Sequence, residues 1–341
     1  MKKLIGGSSM KRFQALLGCA IVMLFVPHLV FGQQAAGGQQ ATVVEKPDFS
    51  LSIGGRAWFS TGKSDETDGG PGGVPKRIDE LTWDNMDSIV AEFTADMLFQ
   101  DEYILTIDGG FGAISDGTFV DQDFLPILTA EDLISESISV ADDDNMWFLS
   151  VMLGSRVLNW NVRDNKPRSY LALMIGYQHW TETYVATQGV QTQDPFGVFG
   201  GVGPFADQGK GVTQTFTWDS LLVGVRTEIE ILPDFTFKGR FMAVPFTHFT
   251  LDDIHHQRTD LKQDPSFEST ADGGIGGILD ATLSYNFGGG FLIEAGYQYW
   301  NISSGEGTTT ANFLIGPPGE VTLNEANSTR HGAIAGISYS F

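Results

Sequence analysis

The chain has 341 residues, with 42 acidic and 20 basic side chains and a formal net charge of −22 at pH 7. A chain this acidic repels the phosphate backbone, which excludes nucleic acid as a partner, whereas cationic polypeptides are attracted to it. The single cysteine, Cys19, lies close to the N-terminus. The rest of the chain therefore has no disulfide, no thiolate metal site and no cysteine nucleophile.

Residues 1–32 are predicted to be a secretory signal peptide. A basic start is followed by an apolar run from Phe13 to Phe31, and small residues precede Gln33. A retained membrane anchor and lipidation at Cys19 are the alternatives. Residues 33–48 are rich in Gln, Ala and Gly without any period, which predicts a short periplasmic tail.

Period-two alternation begins at Phe49 and recurs in about ten segments, each long enough for a tilted membrane strand. In the first segment, Leu51 and Ile53 alternate with a face that carries Arg56. The last segment ends in Tyr339 and Phe341 on one face, which is typical of the C-terminal strand of outer-membrane barrels. We predict that residues 49–341 form an all-β, antiparallel, up-and-down transmembrane β-barrel of the outer-membrane type.

The connections between these segments alternate in length, as they do in outer-membrane barrels. Short links are predicted near 99–102, 162–168, 230–234 and 287–290, and long polar links near 60–79, 114–145, 187–211, 250–273 and 303–329. Short turns face the periplasm and long loops face outward in such barrels, so both chain ends are predicted on the periplasmic side.

Ten strands enclose a narrow lumen, which side chains are expected to fill. We expect charged residues to fill it, among them Glu92, Asp96, Asp108, Arg226, Lys238, Arg240, Asp280 and Glu294. Six tryptophans at segment ends near the long loops are expected to form an outer interfacial girdle: Trp58, Trp83, Trp147, Trp180, Trp218 and Trp300.

Two short motifs are predicted in long loops at the outer mouth. Asp121 and Asp123 follow the third strand, and Asp253 and His255 follow the seventh. In extended chain, residues i and i+2 project from the same face, so each motif forms a side-chain pair.

Each pair has a chemical use. Two adjacent carboxyl groups can share one proton, so they can orient water or donate to a developing oxyanion. A histidine beside a carboxylate is placed to act as a general base. On spacing alone, hydrated or calcium-binding acidic loops remain the alternative.

Several stretches resemble the omptins, outer-membrane proteases of Gram-negative bacteria. The similar stretches occur in the omptin order and on the expected sides of the barrel: Leu81-Thr82-Trp83, Ile104 to Phe111, Val120 to Phe124, Leu173 to Gln178, Phe235 to Gly239 and Asp252 to His256. The resemblance implies a ten-stranded endopeptidase that hydrolyses peptide bonds with an activated water.

By this resemblance, Asp121 and Asp123 match the omptin Asp-Asp pair, and Asp253 and His255 match its Asp-His pair. It also implies a monomer whose active site faces the cell exterior, with no cofactor or metal but with lipopolysaccharide as a lipid activator. Two positions depart from the family. Leu251 and Gly62 stand where omptins carry acids that recognise a basic residue of the substrate.

Two other classes of function remain open at this stage. One is a non-catalytic barrel, either an adhesin or a structural protein, and the other is a narrow porin. The enzyme hypothesis requires the two pairs to converge across one cleft.

Overall fold

The computed structural model of the chain describes residues 49–125, 132–142, 144–160, 169–197 and 200–341. The predicted signal peptide and periplasmic tail lie outside these residues. Every regular element is a strand: β1 (Phe49–Gly69), β2 (Asp79–Phe99), β3 (Tyr103–Leu125), β4 (Asp132–Ala141), β5 (Asp144–Trp160), β6 (Ser169–Gln193), β7 (Gly203–Pro204), β8 (Lys210–Leu232), β9 (Phe235–His255), β10 (Phe267–Asp272), β11 (Ile275–Gly288), β12 (Phe291–Ser303), β13 (Gly307–Ala311) and β14 (Gly319–Ser340). No helix in the described part of the chain is long and apolar enough to span a membrane.

The strands form one closed antiparallel ring of ten. Three of the ten are interrupted. β4 and β5 both lie between β3 and β6, β10 and β11 both pair with β9, and β12 and β13 both pair with β14. β1 pairs with β14 over nearly its whole length, which closes the ring, so that each of its ten described strands is paired on both sides. The predicted barrel is confirmed.

Alternation along each strand separates an apolar outer face from a polar lumen. On β2, Ile89 and Phe93 are exposed on the outside, whereas Val90 and Glu92 are buried inside. The same outward band includes Phe59, Phe111, Leu149, Leu173, Val223, Phe241, Leu279 and Ile337. A continuous apolar belt of this kind is what a barrel presents to lipid.

The described short connections lie at one end of the ring. Phe99 accepts a hydrogen bond from the Glu102 amide across the first turn, where Gln100 and Asp101 have positive φ. Aromatic pairs lie at this end, including Phe49 with Phe99, Phe235 with Tyr285, Phe291 with Tyr339, and Tyr339 with Phe341. They form an interfacial girdle at the short-turn end. The predicted link at 162–168 lies outside the described residues.

The long-loop end differs from the prediction because the strands continue far beyond the apolar belt. β3 and β6, for example, run for 23 and 25 residues, which is more than twice the 9 to 11 residues that a membrane strand requires. Much of the predicted loop sequence is therefore paired β-structure that extends the barrel outside the membrane.

The predicted tryptophan girdle is wrong for five of its six members. Trp58, Trp83, Trp180, Trp218 and Trp300 are at most 2% exposed and project into the lumen; only Trp147 lies on the outer face. Because the strands continue past the belt, segment ends near long loops do not lie at the lipid interface. The five indoles pack with Phe148, Tyr184, Phe216 and Phe249, and these nine residues are called the aromatic layer below.

The lumen on the short-turn side of the aromatic layer is filled by ion pairs, as predicted. Arg56 contacts Glu92 at 2.8 Å and Asp280 at 3.0 Å. Further pairs join Arg226 to Asp96, Arg240 to Asp108 and Lys238 to Glu294. A cavity of only about 60 Å³ remains among these side chains.

Candidate active site

The two predicted pairs lie in strands rather than in loops. Asp121 and Asp123 belong to β3, and Asp253 and His255 are near the end of β9. Both strands extend beyond the apolar belt, and both carry their pair on the inward face. The loop placement in the sequence prediction is therefore wrong, whereas the expected i, i+2 pairing is present.

All four residues line one open cavity of about 370 Å³ above the aromatic layer. We call this cavity the cleft. β3 and β9 are the third and seventh strands of the ten-stranded ring, so the two pairs approach from opposite walls. Asp121 and His255 are close enough to shift each other's pKa. The sequence prediction required this convergence, and the structure has it.

Asp253 and His255 form a contact with Asp253 Oδ1 3.3 Å from His255 Nε2. Asp253 is 2% exposed, while a fifth of the His255 side chain remains exposed to the cleft. Burial lowers the pKa of His255, but the neighbouring charges of Asp253 and Asp121 outweigh burial and raise the pKa above its ordinary value. The imidazole therefore holds a proton more strongly than a free histidine does.

The anchoring of His255 comes from its own backbone and from one aromatic ring. Its amide N–H donates to Ser266 Oγ at 3.0 Å, and Ser266 Oγ donates to the Lys262 carbonyl at 2.6 Å. The Phe267 ring meets the imidazole edge-on with centroids 5.1 Å apart. The hydrogen bonds fix the backbone at His255, and the Phe267 ring packs against the imidazole, part of which remains exposed to the cleft.

On the opposite wall, Asp121 and Asp123 are joined by a third carboxyl group, Asp79 of β2. One oxygen from each of the three lies within 4.8 Å of the others. Burial and the neighbouring charge of Asp123 raise the pKa of Asp121 to about 7. Burial also raises the pKa of Asp123, although a hydrogen bond from Ser135 opposes this shift. At neutral pH this cluster therefore retains protons.

Asp79 occupies the centre of the acidic wall. Burial, followed by the charges of Asp121, Asp123, Asp68 and Glu66, raises its pKa well above the ordinary value. Among the described residues, Asp79, Asp121 and Asp123 are the group whose donor atoms are close enough to share one cation.

Two further acids of the cleft, Glu66 and Asp68 of β1, were not predicted as site residues. Glu66 Oε1 accepts a hydrogen bond from Ser269 at 2.6 Å, and Asp68 Oδ1 accepts one from Thr309 at 2.7 Å. Burial raises the pKa of Asp68 to about 7, and burial with the charge of Asp68 raises that of Glu66 well above its ordinary value. Arg56 points into the lumen, and every second residue after it on β1 shares that face, including Glu66 and Asp68. Period-two alternation in the sequence could therefore have predicted both acids as lumen residues.

The two departures from the omptin pattern lie outside the cleft. A Cβ atom added to Gly62 would come within 3.0 Å of the Arg330 guanidinium, in a fully buried region. Leu251 is fully buried in the hydrophobic core of the barrel. The acids of β1 that reach the cleft are four and six residues beyond Gly62, at Glu66 and Asp68.

The remaining described histidines lie on the outer face of the barrel or its exposed rim. His179 contacts Asp219 at 2.8 Å, and His248 contacts Asp272 at 2.7 Å, both across neighbouring strands. His331 contacts the Tyr297 hydroxyl, and His256 contacts Thr213. None of these four imidazoles lines the cleft.

A closed ring of ten antiparallel strands with an apolar outer belt and a polar lumen is an outer-membrane β-barrel. The chain belongs to the Protochlamydia outer membrane protein family, whose model matches residues 58–341. The family and the fold together locate the protein in an outer membrane.

A solved structure shares this fold. The outer membrane protease OmpT from Escherichia coli superposes with a TM-score of 0.69 at 14% sequence identity, covering 87% of this chain and 99% of OmpT. The translocator domain of the autotransporter NalP from Neisseria meningitidis reaches a TM-score of 0.37 at 11% identity, with 98% of each chain covered. The omptin resemblance in the sequence is thus matched by an omptin-like barrel. No curated protein sequence matches the chain.

Proposed function

We propose that this barrel is an endopeptidase of the omptin type, which hydrolyses peptide bonds by attack of an activated water. The observation that carries the proposal is the convergence of Asp121 and Asp123 with Asp253 and His255 in one cleft. Like charges placed directly opposite each other across a sheet destabilise it. A sheet that keeps three carboxyl groups within 4.8 Å of one another therefore suggests a chemical use for them.

The proposed steps follow from the geometry. His255 accepts a proton from water while the water oxygen attacks the peptide carbonyl carbon, and Asp253 stabilises the imidazolium. The carbonyl oxygen becomes an oxyanion, which receives a hydrogen bond from the proton that Asp121 and Asp123 share. The imidazolium then gives its proton to the amide nitrogen, the C–N bond breaks, and an acid and an amine are released. No covalent enzyme intermediate is required.

The substrates are proposed to be polypeptides with cationic side chains. Glu66, Asp68 and Asp79 line one side of the cleft, and Ser135 and Ser137 line another. A Lys or Arg side chain would relieve the repulsion among the three acids, whereas an acidic side chain would increase it. The two departures at Gly62 and Leu251 do not oppose this specificity, because neither position lines the cleft.

The proposal includes the setting of the enzyme. The cleft faces the cell exterior, because the long strand extensions lie opposite the short turns. The enzyme acts as a monomer, with lipopolysaccharide as its lipid activator and no cofactor or metal. These expectations rest on the omptin resemblance.

Two features bear on the alternatives. The aromatic layer and the ion pairs below it fill the lumen, which opposes a narrow porin. Apolar side chains at three loop tips favour a binding role as the second candidate, because Val74 is 78% exposed, Val202 69% and Ile315 93%. A non-catalytic adhesin or structural barrel would use such tips and would not require the cleft.

The deciding experiment is cleavage of a mixed peptide library by the folded barrel in lipopolysaccharide, beside the Asp253→Ala and His255→Ala variants. Cleavage by the wild type alone supports the protease and reads out its specificity. If the folded wild type cleaves no peptide in the presence of lipopolysaccharide, the result favours the non-catalytic adhesin or structural barrel. Planar-bilayer conductance on the same preparation tests the porin.

A further inference from the structure

A buried glutamine connects the aromatic layer to the proposed Asp-His pair. Gln214 of β8 is fully buried and lies directly opposite Asp253 in the β8–β9 register. Its Nε2 donates to Asp253 Oδ2 at 2.9 Å. On its other side, Trp83 Nε1 of β2 donates to Gln214 Oε1 at 2.6 Å.

The chemistry of the two neighbours fixes the orientation of this amide. An indole N–H can only donate, so the amide oxygen must face Trp83. A carboxylate can only accept, so the amide NH₂ must face Asp253. Neither Glu nor a shorter side chain of the same chemistry serves here, because Glu would place a second carboxylate against Asp253 and Asn would not span both partners.

Trp83 is itself rigidly held. It is fully buried, and its ring packs against Phe119 with centroids 4.3 Å apart and against Tyr184 at 5.0 Å. The other four indoles of the aromatic layer, Trp58, Trp180, Trp218 and Trp300, have no hydrogen-bond partner for Nε1 among the described residues. Trp83 therefore differs from them in donating to a polar group, and that group leads to Asp253.

The two carboxylate oxygens of Asp253 therefore contact different residues. Oδ2 is anchored by Gln214, while Oδ1 lies 3.3 Å from His255 Nε2. With one oxygen fixed, the carboxylate plane cannot rotate without breaking the bond to a buried amide that has no solvent to replace it.

We propose that Gln214 and Trp83 are positioning residues, which form a relay from Trp83 through Gln214 to Asp253 and hold Oδ1 toward His255. The proposal rests on the proposed peptidase function. The relay acts through Asp253 and touches neither the substrate nor the water. A purely structural role for Gln214 would predict lower stability with unchanged turnover per folded molecule.

The test uses the full chain, folded in lipopolysaccharide, with four variants: Gln214→Met, Trp83→Phe, the double variant, and Trp218→Phe. Met keeps the length of Gln without its amide, and Phe keeps an aromatic ring without the N–H. Trp218→Phe is the matched control, because this indole belongs to the same layer and its Nε1 has no partner. Heat-modifiable migration on gels measures the folded fraction.

We expect Gln214→Met to lower kcat between about 10-fold and 100-fold, by analogy with the loss of groups that orient metal-ligating side chains, with KM unchanged. Trp83→Phe should lower kcat less, and the double variant should be no slower than Gln214→Met, because both changes act through one amide. Trp218→Phe should keep the wild-type kcat.

Other outcomes overturn the relay. If folded Gln214→Met keeps the wild-type kcat, the relay proposal is wrong. It is also wrong if the fold-loss in kcat of the double variant equals the product of the two single fold-losses. If Gln214→Met does not fold, Trp83→Phe decides alone, by comparison with Trp218→Phe. If the wild type is active and the variants keep its kcat, only the relay is contradicted. If the folded wild type is inactive, both the peptidase proposal and the relay are contradicted.

Discussion

Asp79 and Asp123 face each other directly across the β2–β3 pair, with Asp68 opposite Asp79 on the other side. Three carboxyl groups thus form a transverse row over three strands. Partly buried like charges in this arrangement repel each other, and the row keeps protons that the unfolded chain would release.

Replacement of Asp79 by Asn should stabilise the barrel at neutral pH. The pKa of Asp79 is raised in the folded state, so the folded protein binds more protons than the unfolded chain above about pH 3.9, the ordinary value for Asp. Stability is then lost as pH rises from that value through the raised pKa. We expect Asp79→Asn to gain about 0.5–1 kcal/mol at pH 7, measured as a higher temperature for loss of the heat-modifiable band.

The control for this change is Asp87→Asn. Asp87 faces Asp116 across the same two strands but on the exposed surface, where water screens the charges. It should leave the transition temperature unchanged. Equal stabilisation by both variants would mean that general charge reduction, rather than the acidic row, is responsible.

Replacement of His255 by Ala should abolish most of the activity without unfolding the barrel. Loss of a general base lowers turnover by about 10²-fold to 10⁴-fold. The neighbouring His256→Ala is the matched control, because His256 contacts Thr213 on the exposed rim and does not line the cleft. Initial rates on one fluorogenic peptide would measure both. Equal losses in the two variants would contradict the assigned base.

The acid limb of the pH–rate profile should lie above the ordinary histidine range. The pKa of His255 is raised by Asp253, so the imidazole becomes free to accept a proton only above about pH 6.5. We expect kcat/KM to fall as pH decreases through that region. A rate that stays constant down to pH 5 would exclude His255 as the base.

The pH–rate profile should also have an alkaline limb, in which activity falls as pH rises. The pKa of Asp121 is about 7, and the proposed oxyanion donor is the proton that Asp121 shares with Asp123. Activity should decline as this proton is lost, and Asp121→Asn should remove the limb while lowering the maximum rate. The same alkaline decline in Asp121→Asn would assign that limb to another group.

The preference for cationic substrates should depend on Glu66. This acid is 4% exposed, and a Lys or Arg side chain that binds beside it would displace its proton. We expect Glu66→Gln to raise KM for cationic peptides by about tenfold, equivalent to about 1.4 kcal/mol, with little change for neutral peptides. Asp65→Asn, on the outward face of the same strand, is the control. A uniform change for all peptides would argue against charge recognition.

The sequence was sufficient for the strand number, the lumen charges and the convergence of the Asp-Asp and Asp-His pairs, because each depends on period-two alternation or on a local motif. It failed where alternation shifts phase. In β2, the register changes between Asp84 and Ser88, and Asn85 has a positive φ. Glu92 points into the lumen, so strict alternation along β2 would place the side chain of Asp79 on the outer face. The bulge between them shifts the alternation by one residue, and Asp79 points into the lumen.

The same effect explains how Asp121 and Asp123 on β3 reach the cleft. Asp108 is inward at an even position, and the pair at 121 and 123 is inward at odd positions, because the irregularity opposite Asp87 inserts one residue. Alternation alone does not reveal such bulges. The tryptophans were misassigned for a related reason, since the sequence does not mark where the strands leave the lipid.

The aromatic layer closes the lumen directly beneath the cleft, which confines all traffic to a single opening. In the proposed peptidase, a substrate chain would enter the cleft and both fragments would leave it through this same mouth. Cleavage would thus be separated from uptake. The membrane would keep its permeability barrier during the proposed hydrolysis, and the fragments would remain on the side where the intact chain bound.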